Sequence, residues 1–277
     1  MLIRCWGARG SIPVSGREYL RYGGDTPCIE IRTTEDRIVI IDAGSGIRRL
    51  GNRLVAEKRS QYTMIFTHAH WDHIMGFPFF KPIYRSGTRI SLFGCPFAQT
   101  SIRKMISHIM APPNFPVGFE EIRANIQYHR KCRETLQFGG LNVTSIPISH
   151  PNQGLGYRLE EDGKSFVFLT DNELTYRHPG GMAYEDYRAF ANGADLLIHD
   201  AEYRPQDYRM TRTWGHSVYT DAVRLALDAG VRRLGLYHHN QERTDDALEE
   251  MVAKCRRMTA GQPLDCFAVH QDMEIVL

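Results

Sequence analysis

Apolar and polar positions along the chain fall into short strand-like runs that give way to helical spacing, and this happens twice. IEIRTT (29–34) and RIVIIDAG (37–44) are rich in β-branched residues and are separated by a short polar turn, which predicts a hairpin. The helical stretch IRRLGNRLVAEK follows, then strand YTMIFT, a histidine cluster, strand RISLF and the helix-like FAQTSIRKMISHIM. The later part repeats that texture. Strands are expected at LNVTSIPI, GYRLE and SFVFLT, a helix near MAYEDYRAFANG and a strand at DLLIH. SVYTDAVRLALDAG has apolar residues at helical spacing and stops at a glycine. Strand RLGLY, helix TDDALEEMVAKCRRM and a terminal strand close the chain. Two halves, each mostly strands followed by helices, predict an α/β fold: two mixed sheets packed together with helices outside, one domain over residues 1–277.

MAPPNFPVGFEEI (110–122) has no period and is rich in proline and aromatics. It reads as a packed connecting loop. The functional alternative is a lid or dimer contact in which Phe115 and Phe119 offer faces to a base or a partner.

Composition narrows the possibilities. The chain has 277 residues, 42% hydrophobic and 24% charged, with a net charge of +2. A binder of long nucleic acid usually carries a stronger basic bias; a small phosphorylated substrate needs only a local cation. Cys5, Cys28, Cys95, Cys132, Cys255 and Cys266 form no CxxC pair, as expected for reduced and mostly buried thiols. MLIRCWGARGS lacks the apolar segment of a secretory leader, and no run is long enough to span a bilayer, so a cytoplasmic, membrane-free protein is expected.

The candidate chemistry begins at IFTHAHWDHIMG, which places His68, His70, Asp72 and His73 directly after a strand-like run. His68 and His70 alternate and so face one way on extended chain; Asp72 and His73 follow where a helix begins. Such a set can present one pair to one ion and the other pair to a second. Imidazole and carboxylate suit Zn²⁺, and also Mn²⁺ or Fe²⁺. Further ligands must come from elsewhere. His150 ends TSIPISH, Asp171 ends SFVFLTD and His238 ends LGLYH, each at the tip of an apolar strand. His239 adjoins His238, but His238 holds the strand-end position.

HAHWDH, followed in order by His150, Asp171 and His238, resembles the metallo-β-lactamase superfamily, an αββα sandwich of two similar halves. The resemblance implies two divalent metal ions. His68, His70 and His150 would hold one; Asp72, His73 and His238 the other; and Asp171 would bridge them. A two-metal site of this kind serves attack by a bridging hydroxide on a phosphodiester, a thioester or a lactam.

LLIHDAEY (196–203) and TWGHS (213–217) resemble paired motifs of the ribonuclease Z-like phosphodiesterase branch, in which a carboxylate supports a histidine that protonates the leaving oxygen. Here Asp200 takes the carboxylate position, where that branch often has Glu, and His216 the acid position. Asp72 would hold a metal and orient the nucleophile. The bland reading of His216 is a neighbour of a helix cap at Ser217. GARGSIPVSG…YGGDTPC resembles the opening of small cyclic-nucleotide phosphodiesterases in the same branch; Gly23 and Gly24 would then approach a phosphate or simply turn the chain. Arg9, Arg21, Arg212 and Lys164 are candidate phosphate contacts. Ribonuclease Z enzymes carry a long tRNA-gripping arm between the positions matching His150 and Asp171. Here GYRLEEDGKSFVF reads as a plain hairpin, which counts against tRNA processing.

The resulting expectation is a metal-dependent phosphodiesterase acting on a small nucleotide, most of all a 3′,5′-cyclic one, and a homodimer by the same resemblance. An RNA 3′-end endonuclease or other cyclic-phosphate hydrolase is the first alternative. A non-catalytic nucleotide-binding sensor is the second.

Overall fold

The structure is a computed structural model that describes residues 1–94, 101–129 and 135–277. Cys95, Cys132 and the start of the helix expected from residue 97 lie outside the described residues. In chain order the strands are β1 (Leu2–Gly7), β2 (Cys28–Arg32), β3 (Ile38–Ile41), β4 (Gln61–Ile65), β5 (Arg89–Phe93), β6 (Asn125–His129), β7 (Leu136–Phe138), β8 (Leu141–Pro147), β9 (Leu155–Glu161), β10 (Lys164–Leu169), β11 (Leu196–Asp200), β12 (Arg233–Tyr237), β13 (Asp265–Ala268) and β14 (Glu274–Val276). The α-helices are α1 (Ile47–Ala56), α2 (Trp71–Ile74), α3 (Ile102–Ile109), α4 (Tyr184–Ala191), α5 (Tyr208–Thr211), α6 (Tyr219–Asp228) and α7 (Asp245–Met258).

The strands form two seven-stranded sheets, ordered β14-β1-β2-β3-β4-β5-β6 and β13-β12-β11-β10-β9-β8-β7. In each, a parallel block (β3 to β6, and β10 to β13) continues into antiparallel strands. The two halves thus share one plan. The inner parallel strands β3, β10, β11 and β12 are buried on both faces, which is why they read as unbroken apolar runs. In β10, Phe166 and Phe168 pack into the layer between the sheets, while Val167 and Leu169 pack under the outer helices. In β3, Val39 and Ile41 face the other sheet, and Ile38 and Ile40 face outward.

Helices cover the outer faces. α1 buries Ile47, Leu50 and Leu54, and α3 buries Met105, Ile106 and Ile109, against the first sheet. α6 and α7 cover the second with Val223 and Ala226, and with Leu248, Met251 and Cys255. α7 shows the local logic of a helix: the Thr244 side chain accepts the Ala247 amide at 3.3 Å, Asp245 and Asp246 occupy the first turn, and Arg256 and Arg257 the last. Among the described residues no helix is long and apolar enough to cross a membrane. Cys5, Cys28, Cys255 and Cys266 are free and buried.

Several expectations are corrected. β1, a strand the sequence reading did not list, pairs between β14 and β2 ahead of the Gly-rich turn. Two strands, β13 and β14, stand where one terminal strand was expected, and they join different sheets. β6 and β7 carry weak alternating patterns that the run-based reading missed. Ser217 caps no helix: α6 starts after Val218, and the Ser217 hydroxyl instead donates to the Asn172 carbonyl at 2.6 Å. In the 110–122 loop, Phe115 and Phe119 pack against the apolar cluster under the first sheet, with Phe115 edge-on to Phe79 at 5.4 Å. The hairpin at 155–169 is as expected: β9 and β10 pair antiparallel through a turn at Asp162 and Gly163, both left-handed.

Candidate metal centre

Parallel strands of both sheets release their C-terminal ends at one seam, and every expected ligand sits there. His68 and His70 follow β4, and the short helix α2 carries Asp72 and His73. From the other sheet come His150 after β8, Asp171 after β10 and His238 after β12. Asp171 and His238 turn in from their strand tips with left-handed backbone, φ 52° and 57°. So does Asp42 after β3, at φ 62°. Non-glycine residues hold that conformation at a cost, and such strain gathers where side chains must be aimed.

Two groups converge: His68, His70, His150 and Asp171; and Asp72, His73, Asp171 and His238. Within each, the candidate ligand atoms lie within 4.8 Å of one another, and Asp171 belongs to both. A third group joins Asp200, Glu202, His216 and His238. His239 points away; its Nε2 donates to the Val269 carbonyl at 2.7 Å.

The donor set fits cations. His150 Nδ1 donates to the Gly215 carbonyl (2.8 Å), His73 Nδ1 to Asp42 (2.8 Å) and His238 Nδ1 to Glu202 (2.9 Å). Each outer bond leaves the inner Nε2 of a neutral ring as a lone pair directed into the cluster, the arrangement a metal requires. The buried Nε2 atoms of His68 and His73 have no hydrogen-bond partner. His238 Nε2 stands 3.0 Å from Asp72 Oδ2, and His73 Nε2 3.2 Å from Asp171 Oδ1, lone pair against carboxylate unless positive charge intervenes. The electrostatics agree. Burial opposes ionisation, yet Asp171, Asp72 and Asp42 outweigh it and hold His73 well above its ordinary range. Burial would likewise raise Asp72, but His73 and His238 hold it well below the carboxylate range. This buried pocket demands positive charge.

Glycines are part of the design. A Cβ on Gly10 would stand 2.3 Å from His238 Nδ1, and one on Gly215 (φ 95°) 2.1 Å from His150 Nδ1.

His216 and Asp200 adjoin the clusters. His216 Nδ1 donates to Asp200 Oδ2 at 2.6 Å, and its ring stacks on His238 at 4.7 Å. Burial opposes an imidazolium, but Glu202 and Asp200 overcome it and raise His216 to about 9. The second Asp200 oxygen accepts the Ser217 and Glu202 amides, which fixes the carboxylate.

Three buried carboxylates escaped the sequence reading. Asp42 ends RIVIID, the same strand-tip signal that marked Asp171. Glu202 lies inside the quoted LLIHDAEY; its other oxygen accepts from Asn240 Nδ2 at 3.1 Å. Glu173 gave no signal at all. It accepts from His178 Nε2 (2.8 Å), Tyr208 Oη (2.6 Å) and the amides of Thr213 (2.8 Å) and Gly215 (2.9 Å), pinning the loop that holds His150 and His216.

The expected phosphate contacts fare less well. Arg9 is buried and donates to the carbonyls of Gly23, Asn240 and Arg243. Arg21 is tied to Asp246 and Glu249. Lys164 starts β10, at the strand end opposite Asp171, and faces Asp195 at 3.7 Å. Arg212 is exposed, its guanidinium 5.2 Å from the Tyr176 ring centre. Gly23 and Gly24 pack the chain closely against Gln271 and Val14, where a Cβ would clash, so close packing of the turn accounts for both glycines.

Comparison with known proteins places this geometry in context. Ribonuclease Z of Picrophilus torridus is 24% identical over 86% of this chain and 85% of its own length. A diphosphatase of the PhnP family superposes with a TM-score of 0.70 at 18% identity, covering 100% of this chain and 97% of its own. Yeast PDE1 superposes with a TM-score of 0.70 at 12% identity, over 100% and 99%. The model of the beta-lactamase superfamily domain matches residues 37–239, a stretch that runs from β3 through the histidine cluster to the strand end at His238, and the chain belongs to that superfamily.

Proposed function

We propose that residues 1–277 form one hydrolase unit that cleaves a small nucleotide phosphodiester, a 3′,5′-cyclic nucleotide first among them, with two divalent cations. The observation that carries this reading is the pairing of His216 with Asp200 at 2.6 Å beside two His/Asp clusters that share Asp171. His68, His70, His150 and Asp171 would hold one cation, and Asp72, His73, His238 and Asp171 the other. Zn²⁺ is the first choice for such ligands, with Mn²⁺ or Fe²⁺ as alternatives. Bound there, the cations would acidify a water nucleophile and neutralise charge on the phosphoryl oxygens.

The chain's own groups do the rest. Asp72 Oδ2 accepts the Ser11 amide at 2.9 Å, which leaves its orientation fixed for holding a cation and directing the nucleophile. Glu202 and Asp200 favour the protonated form of His216, and an alkoxide leaving group needs a proton. Asp200 keeps that ring's Nδ1–H bound, so Nε2–H is the proton delivered.

The protein is read as cytoplasmic and homodimeric. RNA 3′-end cleavage is the second reading, favoured by the ribonuclease Z relatives; the tight β9–β10 turn, with no arm, weighs against it.

The test uses protein supplied with Zn²⁺ or Mn²⁺ and assayed against 3′,5′-cyclic nucleotides, bis(p-nitrophenyl) phosphate and precursor tRNA. Cleavage of the small diesters, lost by a factor of about 10² or more in His216→Ala, is expected. No cleavage of any diester would refute the reading, and cleavage of precursor tRNA alone would replace it with the second.

A further inference from the structure

We propose that Trp71 and Trp214 form a stacking subsite for the flat ring of a nucleobase at the open side of the metal centre; this deepens the phosphodiesterase reading and rests on it. The chain has three tryptophans. Trp6 is buried, with its Nε1 donating to Glu30 at 2.9 Å. The other two are 54% and 61% exposed, an unusual state for the largest apolar side chain.

Their positions explain the exposure. Of the seven expected ligands, six are buried and His70 alone is half-open to solvent. Solvent, and therefore substrate, reaches the centre on the His70 side. Trp71 directly follows His70. His70 Nδ1 lies 2.9 Å from His150 Nε2, and His150 Nδ1 bonds the carbonyl of Gly215, the residue after Trp214. Both indoles therefore sit one residue from groups that touch the same imidazole. The backbone beneath them is hydrogen-bonded in place: α2 starts at Trp71, and the Thr213 and Gly215 amides that flank Trp214 both donate to Glu173.

The occupant follows from the chemistry of the rim. A phosphoryl group at the centre would put the substrate's next group on the side where the chain carries these exposed indoles, with Met210 (82% exposed) nearby in sequence and the Arg212 cation over Tyr176. Planar aromatic faces on hydrogen-bonded backbone favour a planar aromatic partner, and stacking on a base is indifferent to which base it is. A bare sugar phosphate or an alkyl ester would gain little there.

The indoles themselves report the test. With metal-supplied protein, adenosine 5′-monophosphate is expected to quench tryptophan emission saturably, and ribose 5-phosphate is not. Trp71→Leu and Trp214→Leu should each remove part of that quenching. Each should also lower, about tenfold, the preference in kcat/KM for thymidine 5′-p-nitrophenyl phosphate over methyl p-nitrophenyl phosphate. Equal quenching by the two phosphates together with an unchanged preference would overturn the subsite while leaving the hydrolase standing. Quenching by the nucleotide alone, with neither ester cleaved, would keep the ring-binding site and remove the hydrolase. Emission shielded from acrylamide in a sedimenting dimer would assign the indoles to a second copy of the chain and overturn the proposal.

Discussion

Glu202 Oε2 accepts the Nδ1 proton of His238 at 2.9 Å, while Nε2 of the same ring turns toward Asp72 at 3.0 Å. One carboxylate thereby sets which nitrogen of His238 is free to face a cation. Glu202→Ala is expected to weaken cation binding 10- to 100-fold, and Glu202→Gln, whose amide oxygen still accepts that proton, by much less. Isothermal titration of metal-stripped protein with Mn²⁺ measures both. Equal losses in the two variants would show that charge, not orientation, is what Glu202 supplies.

Glu173 anchors the loop on the other side of the centre through four donors. Removing it strands His178 and the Gly215 amide in a buried place and leaves Tyr208 and the Thr213 amide to solvent. Glu173→Ala should cost about 3 kcal/mol in urea denaturation, since each orphaned buried polar group costs roughly 1–3 kcal/mol and some relax to water. The same change should reduce kcat more than it raises KM, because His216 loses its support. A variant as stable as the parent would refute the anchor.

His199 gives a stability signature at acid pH. It is wholly buried, its Nδ1 donating to the Asp200 carbonyl at 2.7 Å, and burial pulls its pKa from 6.5 down to about 4. The folded ring therefore refuses a proton that the unfolded chain accepts. Its contribution is complete above pH 6.5 and is lost as pH falls toward 4, about 3 kcal/mol in all at roughly 1.4 kcal/mol per pH unit. In His199→Asn, unfolding free energy measured from pH 7 to 4 should fall less steeply, by up to one proton's worth of slope. Parallel curves for the two proteins would contradict the assignment.

Chelation should destabilise the whole molecule, because the candidate ligands come from both sheets. Cations at 1,000 times their Kd add about 4 kcal/mol per site to the folded state. Thermal unfolding with EDTA, and again after adding Zn²⁺ or Mn²⁺, reads this directly. An unchanged midpoint would mean that the two clusters hold no ion.

Much of this was legible in the chain, and for a definite reason. Strands buried on both faces, such as β3 and β10, read as continuous apolar runs, and a polar residue at their tips stands out as Asp171 and His238 do. Asp42 carries the same mark, a buried carboxylate directly after the apolar run of β3. β6 and β7 are half-exposed and pair at sheet margins, so their patterns are too weak to read. Glu173 was invisible because its role comes from loops forty residues apart meeting it in space. Arg9 failed as a phosphate contact for the converse reason: a cation in a Gly-rich segment looks available until the fold surrounds it with carbonyls.

The room denied to a side chain at Gly10 and Gly215 carries a consequence for descent and for engineering. Two positions with no side chain are as restrictive as the imidazoles they press against, so a lineage that keeps the histidines but gains an alanine at either place should lose the centre. Transplanting the ligand set alone onto another sandwich would fail for the same want of space.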